Sequence, residues 1–219
     1  MKPKLRPLDL VGGILTGSML SDQLYCELRL DYSIRQGEYR IPVKPGTPRA
    51  IVEEILLKQG HGRFRRYTIK GAIYDIVVHI SPDAILLGRR GPKALIKAVI
   101  RNPPRVLERD LAPLELAAVV LSQSQGVEGL AGIIVVAANA DFLREALREL
   151  LKMKPSPAKG PGWVIGYRVL DPLISRERVS KLLSYWLGVR KPQPNPSPNK
   201  CSICVYSDRC PARSSQQRC

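Results

Sequence analysis

The sequence predicts a mixed α/β fold in which helices flank a sheet. Segments of helical period alternate along the chain with runs rich in β-branched residues, which is the element order of an α/β domain. The run LAGIIVVAA is apolar at nearly every position, as in a strand that is covered on both faces. Apolar residues make up 44% of the 219 residues, enough for one full core. We therefore expect one domain over residues 1–190, a linker over 191–200 and a terminal segment over 201–219.

The N-terminal part predicts a helix from Ser18 to Ile34. Four side chains recur at four-residue spacing and form its apolar stripe: Leu20, Leu24, Leu28 and Tyr32. Ser18 and Ser21 are both suitable caps for the first turn. Cys26 lies off the apolar stripe, so we expect its side chain to be free to act as a ligand.

Residues 47–101 predict a short helix followed by three adjacent strands. Thr47-Pro48 supplies an N-cap and a proline in the first helical turn, and Gly60 ends the helix. The β-rich runs that follow read YTIKGAIYDIVVHI, AILLGRR and KALIKAVIR. The segments Ser81-Pro82-Asp83 and Gly91-Pro92 separate these runs, and we interpret both as turns.

The second half of the chain predicts three helices, two strands and an extended linker. Asp110 can cap a helix that ends near Gln125, and Asn139 or Asp141 can open the next helix, FLREALRELLK. The strands read LAGIIVVAA and WVIGYRVL, and an amphipathic helix follows over Ser175–Leu187. The linker KPQPNPSPNK alternates proline with polar residues, so we expect an extended spacer that carries the last cysteines back to the N-terminal helix.

Four of the five cysteines form a pattern typical of a metal or cluster site. Cys201, Cys204 and Cys210 are spaced as C-x2-C-x5-C, and Cys26 is the candidate for a fourth ligand. Thiolates bind Zn²⁺ or iron-sulfur clusters, and four of them complete either coordination set. Two alternatives remain open, namely four free buried thiols and two disulfides. Cys219 is left over, and we expect it to be a free thiol.

The charge balance indicates a polyanionic partner. The chain carries 35 Lys and Arg residues against 19 Asp and Glu residues, which gives a formal net charge of +16. Nucleic acid is the first candidate, although anionic membranes, ribosomes and a charge-rich thermophilic surface stay open. Aromatic residues are only 5%, so we expect phosphate contacts to outweigh base stacking. Because the sequence shows no apolar run of membrane length, we expect a cytoplasmic protein that does not bind membranes.

The cysteine pattern and its flanking residues resemble a known family. Ser21–Tyr32 reads SDQLYCELRLDY, a pattern of the form S-x3-Y-C-x5-Y, and the C-terminal C-x2-C-x5-C completes the likeness. This combination is similar to the RecB-like, CRISPR-associated exonucleases of the Cas-four type. Family members carry an iron-sulfur cluster on these cysteines. The resemblance therefore implies such a cluster, 4Fe-4S rather than 2Fe-2S, bound by four residues: Cys26, Cys201, Cys204 and Cys210.

The resemblance also implies a fold and a place for catalysis. The family has a PD-(D/E)XK nuclease-like mixed sheet flanked by helices, and its C-terminal cysteine segment packs on the N-terminal helix. In this sequence Gly71–Asp75 (GAIYD) resembles the strand motif that supplies an aspartate, and Lys97 matches the lysine of the family's E-x-K motif. Leu95 stands where that motif has its glutamate, and leucine cannot bind a metal.

Two helix motifs of the family are altered as well. Glu53 and Glu54 stand where a histidine is expected, and the Q-x3-Y motif falls on Glu115–Val119 (ELAAV). One alternative is that Glu53 or Glu54 and Glu115 supply carboxylates from the flanking helices and rebuild a Mg²⁺ or Mn²⁺ site around Asp75.

These patterns predict an iron-sulfur DNA-binding protein whose catalytic site is partly or wholly degenerate. We expect its task to lie in CRISPR adaptation or DNA repair, with single-stranded DNA and CRISPR adaptation proteins as partners. The first alternative is an active exonuclease that uses Mg²⁺ or Mn²⁺ with substituted ligands. The second is a zinc-stabilised nucleic-acid-binding module.

Overall fold

The computed structural model describes residues 5–40, 47–89, 91–152 and 156–212, so Cys219 lies outside the described residues. It shows two sheets flanked by helices, which confirms the mixed α/β class. The helices are α1 (Pro7–Leu10), α2 (Gly17–Tyr25), α3 (Glu27–Arg35), α4 (Thr47–Val52, continued by a π-helical turn over Glu53–Leu57), α5 (Glu108–Gln125), α6 (Ala140–Lys152), α7 (Pro172–Trp186) and α8 (Pro198–Cys201), with a 3₁₀ turn at Ser207–Arg209. The strands are β1 (Ile14–Thr16), β2 (Phe64–Arg65), β3 (Ile69–Ile73), β4 (Ile76–Ile80), β5 (Ala84–Gly88), β6 (Gly91–Ile100), β7 (Ala131–Ala137), β8 (Ala158–Gly160) and β9 (Trp163–Val169).

The strands divide between a small sheet and a large one. The small sheet has the order β1-β4-β3, and the large sheet has the order β2-β5-β6-β7-β9-β8. β6 pairs with β7 in parallel, whereas β5 and β6 form an antiparallel hairpin. Both sheets are therefore mixed, because each contains parallel and antiparallel pairs. Along the chain, β4 of the small sheet is followed by β5 of the large sheet.

The prediction of three adjacent strands over 66–101 is wrong. The first β-rich run is two strands, β3 and β4, joined by Tyr74 and Asp75. Both residues have positive φ, 48° and 63°, which is the geometry of a two-residue hairpin turn. The reversal places β3 and β4 with β1 in the small sheet, while β5 and β6 join the large sheet.

The core lies on both faces of the large sheet. β7 is buried at every position, as its apolar sequence predicts. Ile134 and Val136 pack with α5 on one face, whereas Ile133 and Val135 pack with α6 on the other. Within the described ranges, no helix is both long enough and apolar enough to span a bilayer.

The predicted helix over 18–34 is divided at Cys26. α2 ends at Tyr25 and α3 begins at Glu27, and Cys26 between them is extended, with φ −166° and ψ 108°. The break exposes backbone groups that a continuous helix would pair within itself. It also sets the Cys26 side chain at an elbow between two helices rather than along one of them.

The proline-rich linker satisfies the backbone groups that this break frees. Three hydrogen bonds do this: Leu28 N donates to the Gln193 carbonyl at 3.2 Å, the Asn195 side-chain amide donates to the Leu24 carbonyl at 3.0 Å, and Lys200 Nζ donates to the Tyr25 carbonyl at 2.9 Å. The linker is irregular over 191–197 and ends in α8, so it is not extended over its whole length as predicted. It docks against the elbow and carries the C-terminal cysteines to Cys26.

The Glu27 carboxylate fixes the start of the linker. Glu27 is only 5% exposed, and it accepts hydrogen bonds from Arg190 Nη2 at 2.7 Å, from Gln193 N at 2.7 Å and from the Gln23 amide at 2.6 Å. Gln23 in turn accepts a hydrogen bond from the Trp186 indole at 2.7 Å. α2, α3, the end of α7 and the linker are therefore joined through one buried polar network.

We expect Glu27→Ala to lower the free energy of unfolding by about 3 kcal/mol, because it leaves Arg190 without its carboxylate partner. Arg190 is 28% exposed, so water can partly solvate its charge, and the expected loss of stability is smaller than for a fully buried ion pair. The measurement is urea unfolding at neutral pH. The matched control is Glu177→Ala, which breaks a pair exposed by more than 70% and should leave the free energy of unfolding nearly unchanged. Equal losses in the two variants would contradict the role of Glu27.

Candidate functional site

All four predicted cysteine ligands line one cavity of about 330 Å³, here called the cysteine pocket. Cys26 reaches it from the elbow between α2 and α3, and Cys201, Cys204 and Cys210 reach it from the C-terminal segment. Each of the four thiols is partly buried and free of any disulfide. The disulfide alternative is therefore absent from this structure, and the predicted approach of the two chain regions is observed.

Tyrosines hold the C-terminal segment against α3. Tyr32 Oη donates to the Arg209 carbonyl at 3.1 Å, and the Tyr32 and Tyr206 rings lie 5.6 Å apart. Tyr206 Oη also donates to the Glu38 carboxylate. Desolvation and the adjacent Glu38 raise the pKa of Tyr206 to about 12, so the phenol keeps its proton at neutral pH.

The four thiols line the cavity without forming a ready metal site. Within the part of the chain that the structure describes, no three Cys, His, Asp or Glu side chains are close enough to hold a metal ion as placed. Arg29 and Lys200 line the same cavity and add positive charge beside the thiols.

A second cavity, of about 400 Å³, lies where the end of β4, the start of α2 and the middle of β6 meet; we call it the strand pocket. Asp83 and Lys97 both line it. One Asp83 carboxylate oxygen accepts the Ala98 N–H at 2.8 Å, and Lys97 Nζ donates to Ser21 Oγ at 3.0 Å. The pairing of Ala84 with Ile96 places Asp83 beside Lys97 across the β5–β6 hairpin.

Burial perturbs both charged groups in the strand pocket. It lowers the pKa of the Lys97 amine, and the charges of Asp110 and Asp83 oppose this shift. It raises the pKa of Asp83, against the opposing effect of the Ala98 N–H. Arg49 also lines the pocket, and its buried Nε has no hydrogen-bond partner among the described residues.

Asp83 was not predicted as a site residue, because the segment Ser81-Pro82-Asp83 resembles a turn. Asp83 instead leads into β5, and its N–H donates to the Ile96 carbonyl at 2.9 Å. Counting back from the turn of the β5–β6 hairpin would pair Asp83 with Ile96, and a register shift between Leu86 and Leu87 moves the pairing to Lys97. The sequence therefore carried no signal for the approach of Asp83 to Lys97.

Asp75 is not a strand residue, and the structure does not bring it to Lys97. It is exposed and lies in the two-residue turn before β4, where its positive φ fits the known tolerance of aspartate for that conformation. The strand pocket is at the opposite end of β4, about 15 Å away at the usual rise per strand residue. Turn geometry therefore explains an aspartate at this position.

The predicted set of migrated carboxylates is not assembled either. Each carboxylate pairs with an arginine away from the strand pocket: Glu53 with Arg66 at 2.7 Å, Glu54 with Arg144 at 3.7 Å, and Glu115 with Arg178 at 2.8 Å. Burial raises the pKa of Glu115, and Arg178 opposes this shift. These ion pairs give the three glutamates structural or surface roles in this fold.

Leu95 occupies the position expected for the second metal-binding carboxylate. It has no exposed surface, and it packs in the core with residues of α2 and α5. Leu95 and Lys97 lie two residues apart on β6 and so share one face of the strand. An apolar side chain therefore fills the space beside Lys97.

A third cavity, of about 610 Å³, is here called the basic groove, because three cations line it (Arg105, Arg109 and Lys200) against one carboxylate, Glu108, which pairs with Arg178. Three cations surround the Tyr25 ring: Arg29 at 5.3 Å, Arg109 at 5.1 Å and Lys200 at 5.1 Å from its centroid. Within the described residues, neither Arg29 nor Arg109 has an ion-pair partner. No sequence pattern predicted this grouping, since these residues come from three distant stretches of the chain.

Comparisons with known proteins give limited information. No protein-family model matches the chain, and no curated protein matches it in sequence. Among solved structures, the chain is similar to the protein described as "Crystal structure of SSO0001", with a TM-score of 0.46 and 10% identity. The match covers 92% of this chain and 87% of the other. A similarity at this level assigns neither a family nor an activity.

Proposed function

We propose that this protein is an iron-sulfur DNA-binding protein of the RecB-like exonuclease type with a degenerate catalytic site, acting in CRISPR adaptation or DNA repair. The observation that carries the proposal is the composition of the strand pocket. Asp83 and Lys97 face each other there, but the position for a second carboxylate holds the core residue Leu95. A basic groove lies next to a pocket that collects four cysteines.

The strand pocket is a poor site for Mg²⁺ or Mn²⁺. These ions require several hard oxygen ligands, and metal-assisted phosphoryl transfer depends on their fixed arrangement. Asp83 is the one carboxylate lining the pocket within the described residues, and one of its oxygens already accepts the Ala98 N–H. Arg49 and Lys97 add positive charge that opposes the entry of a second cation. The chain's own groups thus favour an anion over a divalent metal.

The basic groove is a suitable surface for DNA phosphates. Arg29, Arg109 and Lys200 repel one another around the Tyr25 ring, and a polyanion in the groove would offset that repulsion. Arg105 extends the positive charge along the same cavity. Since cations cover the single tyrosine in the groove, phosphate contacts outweigh base stacking, and binding is weakly selective for sequence.

The four thiols that line the cysteine pocket can supply the four thiolates that either an iron-sulfur cluster or a zinc ion requires. We propose the cluster first because the cysteine pattern resembles that of the Cas-four-type family. Arg29 and Lys200 offset the negative charge that four thiolates bring. When bound, a cluster supplies a covalent connection between the α2–α3 elbow and the C-terminal segment, together with an electron-transfer centre.

We expect protein purified without oxygen to contain iron and acid-labile sulfide, and Cys26→Ala to lose both. Because Cys26 is the ligand from the elbow, that variant should also release the C-terminal segment and raise its rate of proteolysis. Cys219→Ala is the matched control and should leave metal content and proteolysis unchanged. Stoichiometric zinc without iron or sulfide would contradict the cluster.

We expect DNA affinity to fall at least about tenfold between low and physiological salt, because phosphate contacts release counterions. Arg109→Gln should weaken binding to all sequences and lower the salt slope by about 1. The control, Arg148→Gln, removes an exposed arginine from α6 on the opposite face of the large sheet. Fluorescence anisotropy with labelled oligonucleotides measures both. Binding that does not weaken with salt, or that requires one particular sequence, would contradict phosphate binding in the basic groove.

We expect the native protein to bind single-stranded DNA without degrading it in Mg²⁺ or Mn²⁺. Leu95→Glu places a carboxylate on the Lys97 face and should introduce measurable Mn²⁺-dependent cleavage, whereas the isosteric neutral variant Leu95→Gln should not. Gel assays of end-labelled DNA provide the measurement. Strong cleavage by the native chain that Asp83→Ala abolishes would show that the site is active, and Asp75→Ala should have no effect.

A further inference from the structure

We propose that the strand pocket is a metal-independent binding site for the phosphate monoester at an end of a DNA strand. This proposal rests on the proposed function, DNA binding, and names the phosphate monoester as the group that the strand pocket binds. The pocket contains one carboxylate, Asp83, and two cations, Arg49 and Lys97, around a volume of about 400 Å³. A site with those properties selects anions rather than metal ions.

The lining groups are mostly hydrogen-bond donors. Arg49 and Lys97 are two cations against the single carboxylate of Asp83. Four hydroxyl groups line the same cavity in two hydrogen-bonded pairs, Thr16 with Ser18 and Thr68 with Ser81, and each pair leaves one hydroxyl proton for a ligand. A phosphate monoester carries close to two negative charges at neutral pH and three terminal acceptor oxygens, so it matches this set better than an internal phosphodiester does.

The Arg49 side chain has a hydrogen-bond donor that is not used within the described residues. Its Nε is buried, yet it has no hydrogen-bond partner within the described residues. An arginine donor without a partner is unfavourable, and the planar guanidinium is well suited to phosphate oxygens. Lys97 is likewise held by the neutral Ser21 hydroxyl rather than by a carboxylate. Both cations therefore have donors to offer a bound anion.

The start of α2 adds to this arrangement. Gly17 and Ser18, in the first turn of this nine-residue helix, line the pocket. Backbone N–H groups at a helix start favour anions. These N–H groups act together with the two cations, Arg49 and Lys97, and with the unpaired Arg49 Nε in the same cavity.

The size and position of the pocket favour a strand end over a free phosphate ion. A volume of about 400 Å³ exceeds what one phosphate fills, and apolar groups of Ile80, Pro113 and Leu114 form part of the wall. The basic groove begins at Tyr25, the last residue of α2, about 12 Å from the first at the usual helical rise. In the proposed complex, a strand held in the groove by its phosphates spans this distance and places its terminal nucleotide in the pocket.

The test compares labelled oligothymidylates that carry a 5′-phosphate, a 3′-phosphate or hydroxyls at both ends, all in EDTA. We expect one of the phosphorylated ends to bind at least about fivefold more tightly than the unphosphorylated strand, a modest advantage for charge-assisted hydrogen bonds. Arg49→Gln should abolish that preference and leave affinity for the unphosphorylated strand nearly unchanged. Arg148→Gln is the matched control and should keep the preference. Melting curves check that each variant folds.

A second variant distinguishes an anion site from a metal site. Asp83→Asn keeps an oxygen that can accept the Ala98 N–H but removes the charge that repels phosphate, so it should increase the end preference in EDTA. A preference that requires Mg²⁺, or that Asp83→Asn abolishes, would overturn the inference. Binding without any end preference would overturn it while leaving the proposed function intact. Failure to bind any of the strands would reject both.

Discussion

Docking of the proline-rich linker on the break between α2 and α3 is the interaction on which the candidate sites depend. The break leaves backbone groups unpaired at the ends of two helices, and the linker pairs them. The buried Glu27 carboxylate holds the linker at its start through Arg190 and Gln193. Because Cys26 lies at the break and Lys200 at the end of the linker, the same docking forms both the cysteine pocket and one side of the basic groove.

Helix α2 connects the three cavities. Its first turn lines the strand pocket, its last residue carries the cation-surrounded ring of Tyr25, and the residue after it is Cys26. Ser21 binds Lys97 on the large sheet and also donates to the Arg109 carbonyl on α5. A change in the position of α2 would therefore alter all three cavities together.

The sequence predicted features that depend on local chemistry. The cysteines of one site were identified by spacing and residue type, and β7 was identified because it is apolar throughout. The choice between Asp75 and Asp83 required the register of two hairpins, and the turn at Tyr74-Asp75 contains neither glycine nor asparagine to mark it. The break at Cys26 was missed for another reason. Its local sequence favours a continuous helix, and the contacts that stabilise the break come from the distant linker.

The union of the two cysteine-bearing segments has a consequence for how the protein is made. Tyr25 and Lys200, the residues that precede Cys26 and Cys201, are 175 positions apart in the chain. When Cys26 has emerged from the ribosome, most of the domain must still be synthesised before Cys210 emerges. The elbow therefore stays incomplete throughout translation, since neither the linker nor the other thiols yet exist to cover it. The supply of iron and sulfide to the cysteine pocket, in the proposed function, is consequently a step that follows synthesis of the domain and cannot guide it.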